Sequence, residues 1–419
     1  MKFLKGALSA CLIACVGTFG AFTPLRAAEP IKFGVGMALS GPLAGGGKAA
    51  LAAIQLWASD VNAAGGILGR PVSILSYDDQ SNPAMVPALY SKMLDIDKVD
   101  FAISGYGTGI QAALIPLMMQ RKQLMMGSLG TAPNANFHYD RYFQILPAGS
   151  DPKTANSKGF FEIAKAMDSK PKTVALLAVD NEFSQMQLEG ARKLAKEYGF
   201  QVVLEKSIPP NTVDLTPIAR QLRSANADIV WAATYPTETV ALVRAVRDLG
   251  IKPKLFGGSL VGLQYASIKQ QLGPALNGIV NYDYYVPEAT MQFSGLADVL
   301  KRYQELAVKE NIDPLGYYVV PAIYAEMQVL QQAITKAGSL DQDKIADVLR
   351  TDTFKTVFGD VKFGSDGEWA EPRILFVQFQ NVSGGDLAQF REAGRHVILY
   401  PPDLKSGDFQ AAPADTKQN

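Results

Sequence analysis

Two short loops concentrate the residues best suited to holding an anion. Gly105-Tyr106-Gly107-Thr108-Gly109 and Gly127-Ser128-Leu129-Gly130-Thr131 each combine glycines with hydroxyl side chains. Glycine lets the backbone approach a bound group closely. N–H groups at a helix start lack an intrahelical partner and attract negative charge. Thr108, Gly109, Ser128, Gly130 and Thr131 could therefore grip a carboxylate through hydroxyls and amides, without a charged side chain. The same glycines would also serve plain tight turns, so the chemistry depends on where the loops sit. In open α/β sheets, ligands lie beyond the carboxyl ends of the strands, and both loops follow a stretch that reads as a strand.

Aromatic residues occupy similar places. Tyr106, Phe183 and Tyr235 each come just after a predicted strand. A ring there lines a pocket or packs one side on a sheet. For Tyr106 and Tyr235 the pocket is favoured; for Tyr282, Tyr284 and Tyr285, packing. Trp57 and Trp231 read as core. Catalytic constellations are not legible. Gly105-x-Gly107-x-x-Ile110 lacks the last glycine of a dinucleotide fingerprint, and no G-x-x-x-x-G-K-[ST] occurs. Gly257-x-Ser259-x-Val261 departs from the nucleophile elbow at its last position. The only histidines, His138 and His396, lie in no metal or triad motif. Asp78-Asp79 precedes Ser81-Asn82-Pro83, where a turn or cap role fits better than a metal pair. No enzymatic activity, metal or cofactor is expected.

The elements that must position these residues alternate between strand and helix. Ile31–Leu39, Pro71–Tyr77, Val99–Ser104 and Leu124–Gly127 read as strands. Ala44–Ala64, Pro83–Asp95 and a stretch ending at Gln120 read as helices between them. In the first helix Ala50, Ile54, Trp57 and Val61 share one face, and Gly65-Gly66 ends it. The pattern restarts with a helix over Phe160–Met167. Strands follow at Thr173–Ala178, Val202–Lys206, Ile229–Ala233 and Lys254–Phe256, with helices at Ser184–Tyr198, Leu215–Ser224 and Thr237–Leu249. An extended, tyrosine-rich stretch over Gly278–Val286 precedes helices at Met291–Glu310, Gly316–Ala337 and Asp341–Leu349. A hairpin over Phe354–Phe363 and strands at Ile374–Gln380 and Val397–Tyr400 complete the set. The tail after Asp408 is polar and expected to be mobile. Two sets of β–α alternation imply two similar lobes, each a mostly parallel sheet covered by helices.

Composition narrows the function classes. The 419 residues carry Lys+Arg 40 and Asp+Glu 40, with no Lys/Arg run, which argues against a nucleic-acid binder held by a basic face. Both cysteines, Cys11 and Cys15, lie in a start that reads as an export signal over residues 1–28. Met1-Lys2-Phe3-Leu4-Lys5 is basic, Gly6–Phe22 is apolar, and Leu25-Arg26-Ala27 offers a cleavage site. Leu12-Ile13-Ala14-Cys15 also resembles a lipoprotein box, which would tether the chain through Cys15; soluble export is favoured. The mature chain would then be free of cysteine and slightly acidic. No later run is long enough to cross a bilayer.

Three blocks closely resemble the opening of the branched-chain amino-acid type of periplasmic solute-binding proteins, which serve ABC importers. They are Ser40-Gly41-Pro42, Asp60-Val61-Asn62-Ala63-Ala64-Gly65-Gly66-Ile67-Leu68-Gly69-Arg70-Pro71 and Tyr77-Asp78-Asp79-Gln80-Ser81-Asn82-Pro83. The likeness continues through Gly105, Thr131-Ala132-Pro133 and Tyr235-Pro236. It implies an α/β protein of two lobes joined by three crossovers near Pro147, Asp283 and Pro372. The first lobe would comprise residues 29–147 and 284–371, the second 148–283 and 372–419 with the polar tail. Ligand would bind between the lobes and the closed form would dock on an ABC permease in the inner membrane. A periplasmic monomer without nucleic-acid partners is implied.

Carried over by position, Thr108, Gly109, Gly130 and Thr131 would hold the ligand carboxylate and Tyr235 would line the second lobe's side. The chain departs from the family's amino-acid binders at three places. It has Gly46 where they often carry a first-loop tyrosine, Phe183 where they often have another, and Ser259 where an acidic residue meets the ligand's ammonium group. An ammonium buried without its counter-charge loses several kcal/mol. A carboxylate without an α-amino group, aromatic or branched, is therefore expected, with Gly46 leaving room for bulk. Glu182 or Glu238 could still supply the charge and keep amino acids as the alternative. An exported ligand sensor on the same scaffold is a second alternative, and an exported enzyme a third.

Overall fold

A computed structural model of the chain describes residues 28–411. The expected export signal, with Cys11 and Cys15, lies outside them save for its last residue. The first half of the fold runs β1 (Ile31–Met37), α1 (Ala44–Ala63), β2 (Val72–Asp78), α2 (Val86–Asp95), β3 (Phe101–Tyr106), α3 (Thr108–Arg121), β4 (Met125–Ser128) and β5 (Tyr142–Gln144). The second set is α4 (Pro152–Ala166), β6 (Thr173–Val179), α5 (Glu182–Glu197), β7 (Gln201–Ile208), α6 (Thr216–Ala225), β8 (Ile229–Thr234), α7 (Pro236–Asp248), β9 (Leu255–Leu260), α8 (Ala266–Leu272) and β10 (Ile279–Asp283). Then come α9 (Leu296–Glu310), α10 (Val320–Ala337), α11 (Gln342–Thr351) and a hairpin of β11 (Thr353–Thr356) and β12 (Gly359–Lys362). Last are β13 (Leu375–Phe379) and β14 (His396–Tyr400).

The strands form two main sheets. One has five strands in the order β2-β1-β3-β4-β5, all parallel. The other has seven, in the order β14-β13-β10-β9-β8-β6-β7. Its β6 to β10 core is parallel and β13 and β14 join antiparallel. The chain crosses from the first sheet to the second after β5, leaves after β10, and re-enters at β13. In between, α10 packs on α1 and β4 and so belongs with the first sheet. This is a two-lobed α/β fold with three crossovers.

Continuous apolar runs explain the central strands. β3, β8 and β9 are buried along their whole length, as strands covered on both faces must be. In α1, Ala50, Ile54, Trp57 and Val61 are buried as the spacing predicts, and Trp57 Nε1 donates to Gln331 Oε1 of α10 at 3.1 Å. The Gly66 amide caps the helix by donating to Val61 O at 2.8 Å with φ +82°.

Several local expectations change, and α9 is among them, starting at Leu296 and not Met291. α4 starts at Pro152, not Phe160, because its first turns bury polar Thr154, Asn156 and Ser157, which carry no apolar period. α10 starts at Val320, not Gly316, leaving Tyr317 and Tyr318 in a loop begun by Gly316 at φ +70°. The short β5 and α8 are additional. The described end of the tail is tied down: Gln378 Oε1 accepts from the Gln410 amide, 2.8 Å, and Gln380 Nε2 donates to Asp408 O, 2.8 Å. Among the described residues no helix is long and apolar enough to cross a membrane.

Candidate functional site

Strand order fixes where a ligand can sit. In the first sheet the order reverses between β1 and β3; in the second it reverses between β6 and β8. The crevice beyond such a reversal is where open α/β sheets bind ligands. Leu43 follows β1, Tyr106 ends β3 and Gly107-Thr108 follow it, Phe183 follows β6 and Tyr235 follows β8. All of them border one cavity between the lobes, completed by Leu129, Val261, Tyr284 and Tyr318. The space left between these side chains is about 10 Å³, near the least that admits a single water. The lobes must part before a solute enters.

The loop after β1 is held by Asp78, whose carboxylate accepts from the amides of Leu39 (3.0 Å), Ser40 (3.2 Å) and Gln80 (2.8 Å) and from Ser40 Oγ (2.7 Å). Burial opposes its ionisation, but these bonds outweigh it and hold the carboxyl below its ordinary range. Asp79 Oδ1 accepts from the Ser81 amide at 2.8 Å. Both aspartates therefore serve the turn, and among the described residues no group of His, Cys, Asp and Glu could hold a metal.

The residues expected to grip an anion fall on two elements. α3 begins at Thr108 after Gly107 at φ +111°, so the amides of its first turn lack intrahelical partners at the point where Gly107 and Thr108 border the crevice. Thr108 Oγ1 accepts from the Thr131 amide at 3.0 Å. Thr131 Oγ1 in turn accepts from Asn156 Nδ2 of α4 at 3.2 Å, a bond between lobes. Leu129 (φ +54°) and Ala132 (φ +48°) hold left-handed backbone on either side of Gly130-Thr131. Such non-glycine residues cost about 1 kcal/mol or more each, and this pair aims the Thr131 amide at Thr108.

Other expected site residues go elsewhere. Ser128 Oγ donates to Glu326 of α10, at 3.0 and 2.8 Å from its two oxygens, behind the sheet. Burial pushes the Glu326 carboxyl up to about 8. Ser259 Oγ donates to Asn156 O at 2.9 Å and does not border the cavity. Gly130 packs on Gln111, and its carbonyl accepts from Gln144 Nε2 at 2.8 Å. Gly109 faces Pro83 and, across the cleft, Glu182. The room expected at Gly46 is already filled: a Cβ there would lie 2.8 Å from Tyr106 Cε1 and 3.1 Å from Tyr265 Oη.

The aromatic wall is larger than the sequence suggests. Phe183 and Tyr235 stack across the second lobe's rim, with centroids 5.8 Å apart and planes at 16°. Tyr284 stacks on Tyr318 at 5.3 Å and 17°. Tyr106 Oη is 3.2 Å from Tyr265 Oη and 3.3 Å from Tyr318 Oη, and Tyr318 Oη is 3.1 Å from Tyr282 Oη. Burial drives all four of these phenols well above their ordinary range, so they remain neutral. Tyr284, expected to pack on a sheet, borders the cavity instead, and of Tyr265 and Tyr318 only the latter carries a sequence signal, its place two residues past Gly316. Among the described residues, no charged side chain lines the cavity. Glu238, in the first turn of α7, is buried and accepts from the Asn211 amide through one carboxylate oxygen.

Comparison with known proteins agrees with this geometry. Residues 30–386 match the family model described as periplasmic binding protein. The leucine-, isoleucine-, valine-, threonine- and alanine-binding protein of Pseudomonas aeruginosa is 25% identical over 358 residues, covering 85% of this chain and 92% of that one. Two solved structures share the fold. The branched-chain amino-acid transporter substrate-binding protein of Streptococcus pneumoniae, in complex with isoleucine, has a TM-score of 0.72 and 18% identity, over 89% of this chain and all (100%) of that one. An ABC-transporter solute-binding protein of Rhodopseudomonas palustris, in complex with benzoate, has a TM-score of 0.71 and 17% identity, over 93% and 98%. With two lobes meeting at their switch points over an uncharged, aromatic crevice, the chain belongs to the periplasmic binding proteins of the branched-chain amino-acid type, the substrate-binding components of ABC transporters.

Proposed function

We propose that this protein captures an aromatic or branched organic acid in the periplasm and presents it to an ABC permease of the inner membrane. The observation that carries the reading is the uncharged lining of the cavity. An α-ammonium group enclosed there would lack a counter-charge, at a cost of about 3–5 kcal/mol. A carboxylate has its partners: the free amides at the start of α3 and the hydroxyl of Thr108, with Thr131 directly behind. Flat rings at Phe183, Tyr235, Tyr284 and Tyr318 suit an apolar or aromatic body. The Rhodopseudomonas palustris protein in complex with benzoate supports the aromatic choice, and the Streptococcus pneumoniae protein in complex with isoleucine keeps amino acids as the competing outcome. The lobes are assigned to residues 29–147 with 284–371, and 148–283 with 372–419, in an exported monomer.

A ligand that binds only the folded protein raises its melting temperature by mass action. A thermal-shift screen of the mature protein against amino acids, benzoate-type acids and branched aliphatic acids tests the reading. We expect shifts with the acids that lack an α-amino group. A selective shift with leucine or valine would replace this reading with that of an amino-acid binder.

A further inference from the structure

We propose that the four tyrosine hydroxyls strung through the closed cleft form a recognition site for a phenolic hydroxyl, so that the substrate class is ring-hydroxylated aromatic acids. The inference rests on the organic-acid reading above and narrows it. The chain of contacts runs Tyr265–Tyr106–Tyr318–Tyr282, at 3.2, 3.3 and 3.1 Å. Each link exceeds the roughly 2.7–2.8 Å usual between hydroxyls, so the chain is slack. A hydroxyl donates one hydrogen bond and accepts up to two, which leaves acceptor capacity for a phenol O–H donated into it.

Placement supports the same role. Gly107 and Thr108 border the central cavity, whereas Gly46 and Tyr265 border a second small cavity beside it, and Tyr318 borders both. The hydroxyl chain thus runs from the central cavity, bordered by Tyr106 and Tyr318, to the second one, bordered by Tyr265 and Asp313. Gly46 makes this possible, since any Cβ there would collide with the Tyr106 ring and crowd Tyr265 Oη. Two links join the lobes: Tyr106 and Tyr318 come from the first, Tyr265 and Tyr282 from the second. A ligand phenol inserted into the chain would replace one polar contact by two as the lobes close. A ring without a polar substituent would separate buried hydroxyls and leave them unpaired, which disfavours it.

The test is calorimetric titration of the mature protein with matched pairs: benzoate and 4-hydroxybenzoate, phenylacetate and 4-hydroxyphenylacetate, cinnamate and 4-hydroxycinnamate. In the pair whose length fits, the phenol should bind about tenfold tighter or more than its parent. Tyr265→Phe and Tyr318→Phe should each pull that ratio toward one. The wild-type comparison stands even where a variant folds poorly. Equal affinities within every pair, tighter binding by the parents, or binding of branched aliphatic acids alone would overturn this inference and leave the organic-acid reading standing. A ratio unchanged in both variants would overturn it as well. Saturable binding of leucine, with none of the acids bound, would remove both.

Discussion

Gly46 and Gly47 are neighbours in the first turn of α1 with different duties. A Cβ at Gly46 meets the side chains of Tyr106 and Tyr265, which can yield; one at Gly47 would lie 2.0 Å from the backbone oxygen of Ala38, which cannot. Gly46→Ala gains up to about 1 kcal/mol of helix propensity against about 1–3 kcal/mol of overpacking. Its net stability loss should be about 1 kcal/mol, while displacement of the Tyr106 ring weakens ligand binding about tenfold. Gly47→Ala should lose more than about 3 kcal/mol. Denaturant titration and calorimetry on the two variants separate these effects; wild-type affinity in Gly46→Ala would show that Tyr106 need not occupy that space. The same pair shows what was legible at this scale. Tyr106, Thr108, Phe183 and Tyr235 could be found because each stands at or just past the end of a strand, and strand ends are readable. Where a hydroxyl points is not, so Ser128 and Ser259 looked like ligand contacts though their bonds go to Glu326 and Asn156 O. Tyr318 was hidden inside an over-long helix.

The blocks that carried the family likeness turn out to brace elements rather than touch the cavity. Asp60 of α1 accepts from Arg302 of α9, 2.6 and 3.0 Å, and from Tyr324 Oη of α10, 2.6 Å. Burial works against its charge, yet those bonds keep the carboxyl below its ordinary range. Asn62 exchanges two hydrogen bonds with the backbone of Val72, at 3.0 and 2.7 Å, fixing α1 to β2. This is why the sequence disclosed the fold so fully and the ligand so little: the motif records how helices seat on a sheet. Elements without an apolar period, such as the start of α4, or of only three residues, such as β5, had no signal to give. The Ser128–Glu326 contact between β4 and α10 adds a pH dependence. Burial raises the Glu326 carboxyl from about 4.5 to about 8 in the fold, so the folded state holds a proton that the unfolded chain releases. That stabilisation is complete below about pH 4.5 and is lost as pH rises toward 8, on the order of a few kcal/mol. Glu326→Gln stays neutral and keeps an acceptor for Ser128. Its melting temperature should match wild type near pH 5 and exceed it near pH 8. Asp283 and Asp79 are also raised, to about 6, but act equally in both proteins. A parallel pH profile for the two would remove Glu326 as its source.

At the scale of the whole molecule, binding is an equilibrium between parted and closed lobes, and the closed form is held in part by bonds outside the central cavity, among them one from Asp313 at the edge of the second small cavity. Asp313 is the clearest of them. Its Oδ2 accepts from the Ala266 amide at the start of α8 in the opposite lobe, 2.7 Å, while Oδ1 accepts from the Leu315 and Gly316 amides of its own loop, 2.9 and 3.0 Å. Arg391 Nη2 adds a second clasp by donating to Pro314 O at 3.2 Å. Asp313→Asn keeps one acceptor for its own loop and turns an N–H₂ toward the Ala266 amide, so the fold is retained and the clasp is lost. A hydrogen bond to a charged group is worth about 1.5–3 kcal/mol. Apparent affinity scales with the fraction of closing-competent molecules, so affinity should fall about tenfold or more although Asp313 does not border the central cavity. Small-angle scattering should show a larger radius of gyration for the unliganded variant than for unliganded wild type, and the two should converge at saturating ligand. Equal radii without ligand, together with weakened binding, would place the effect in the site itself and not in the balance between the lobes.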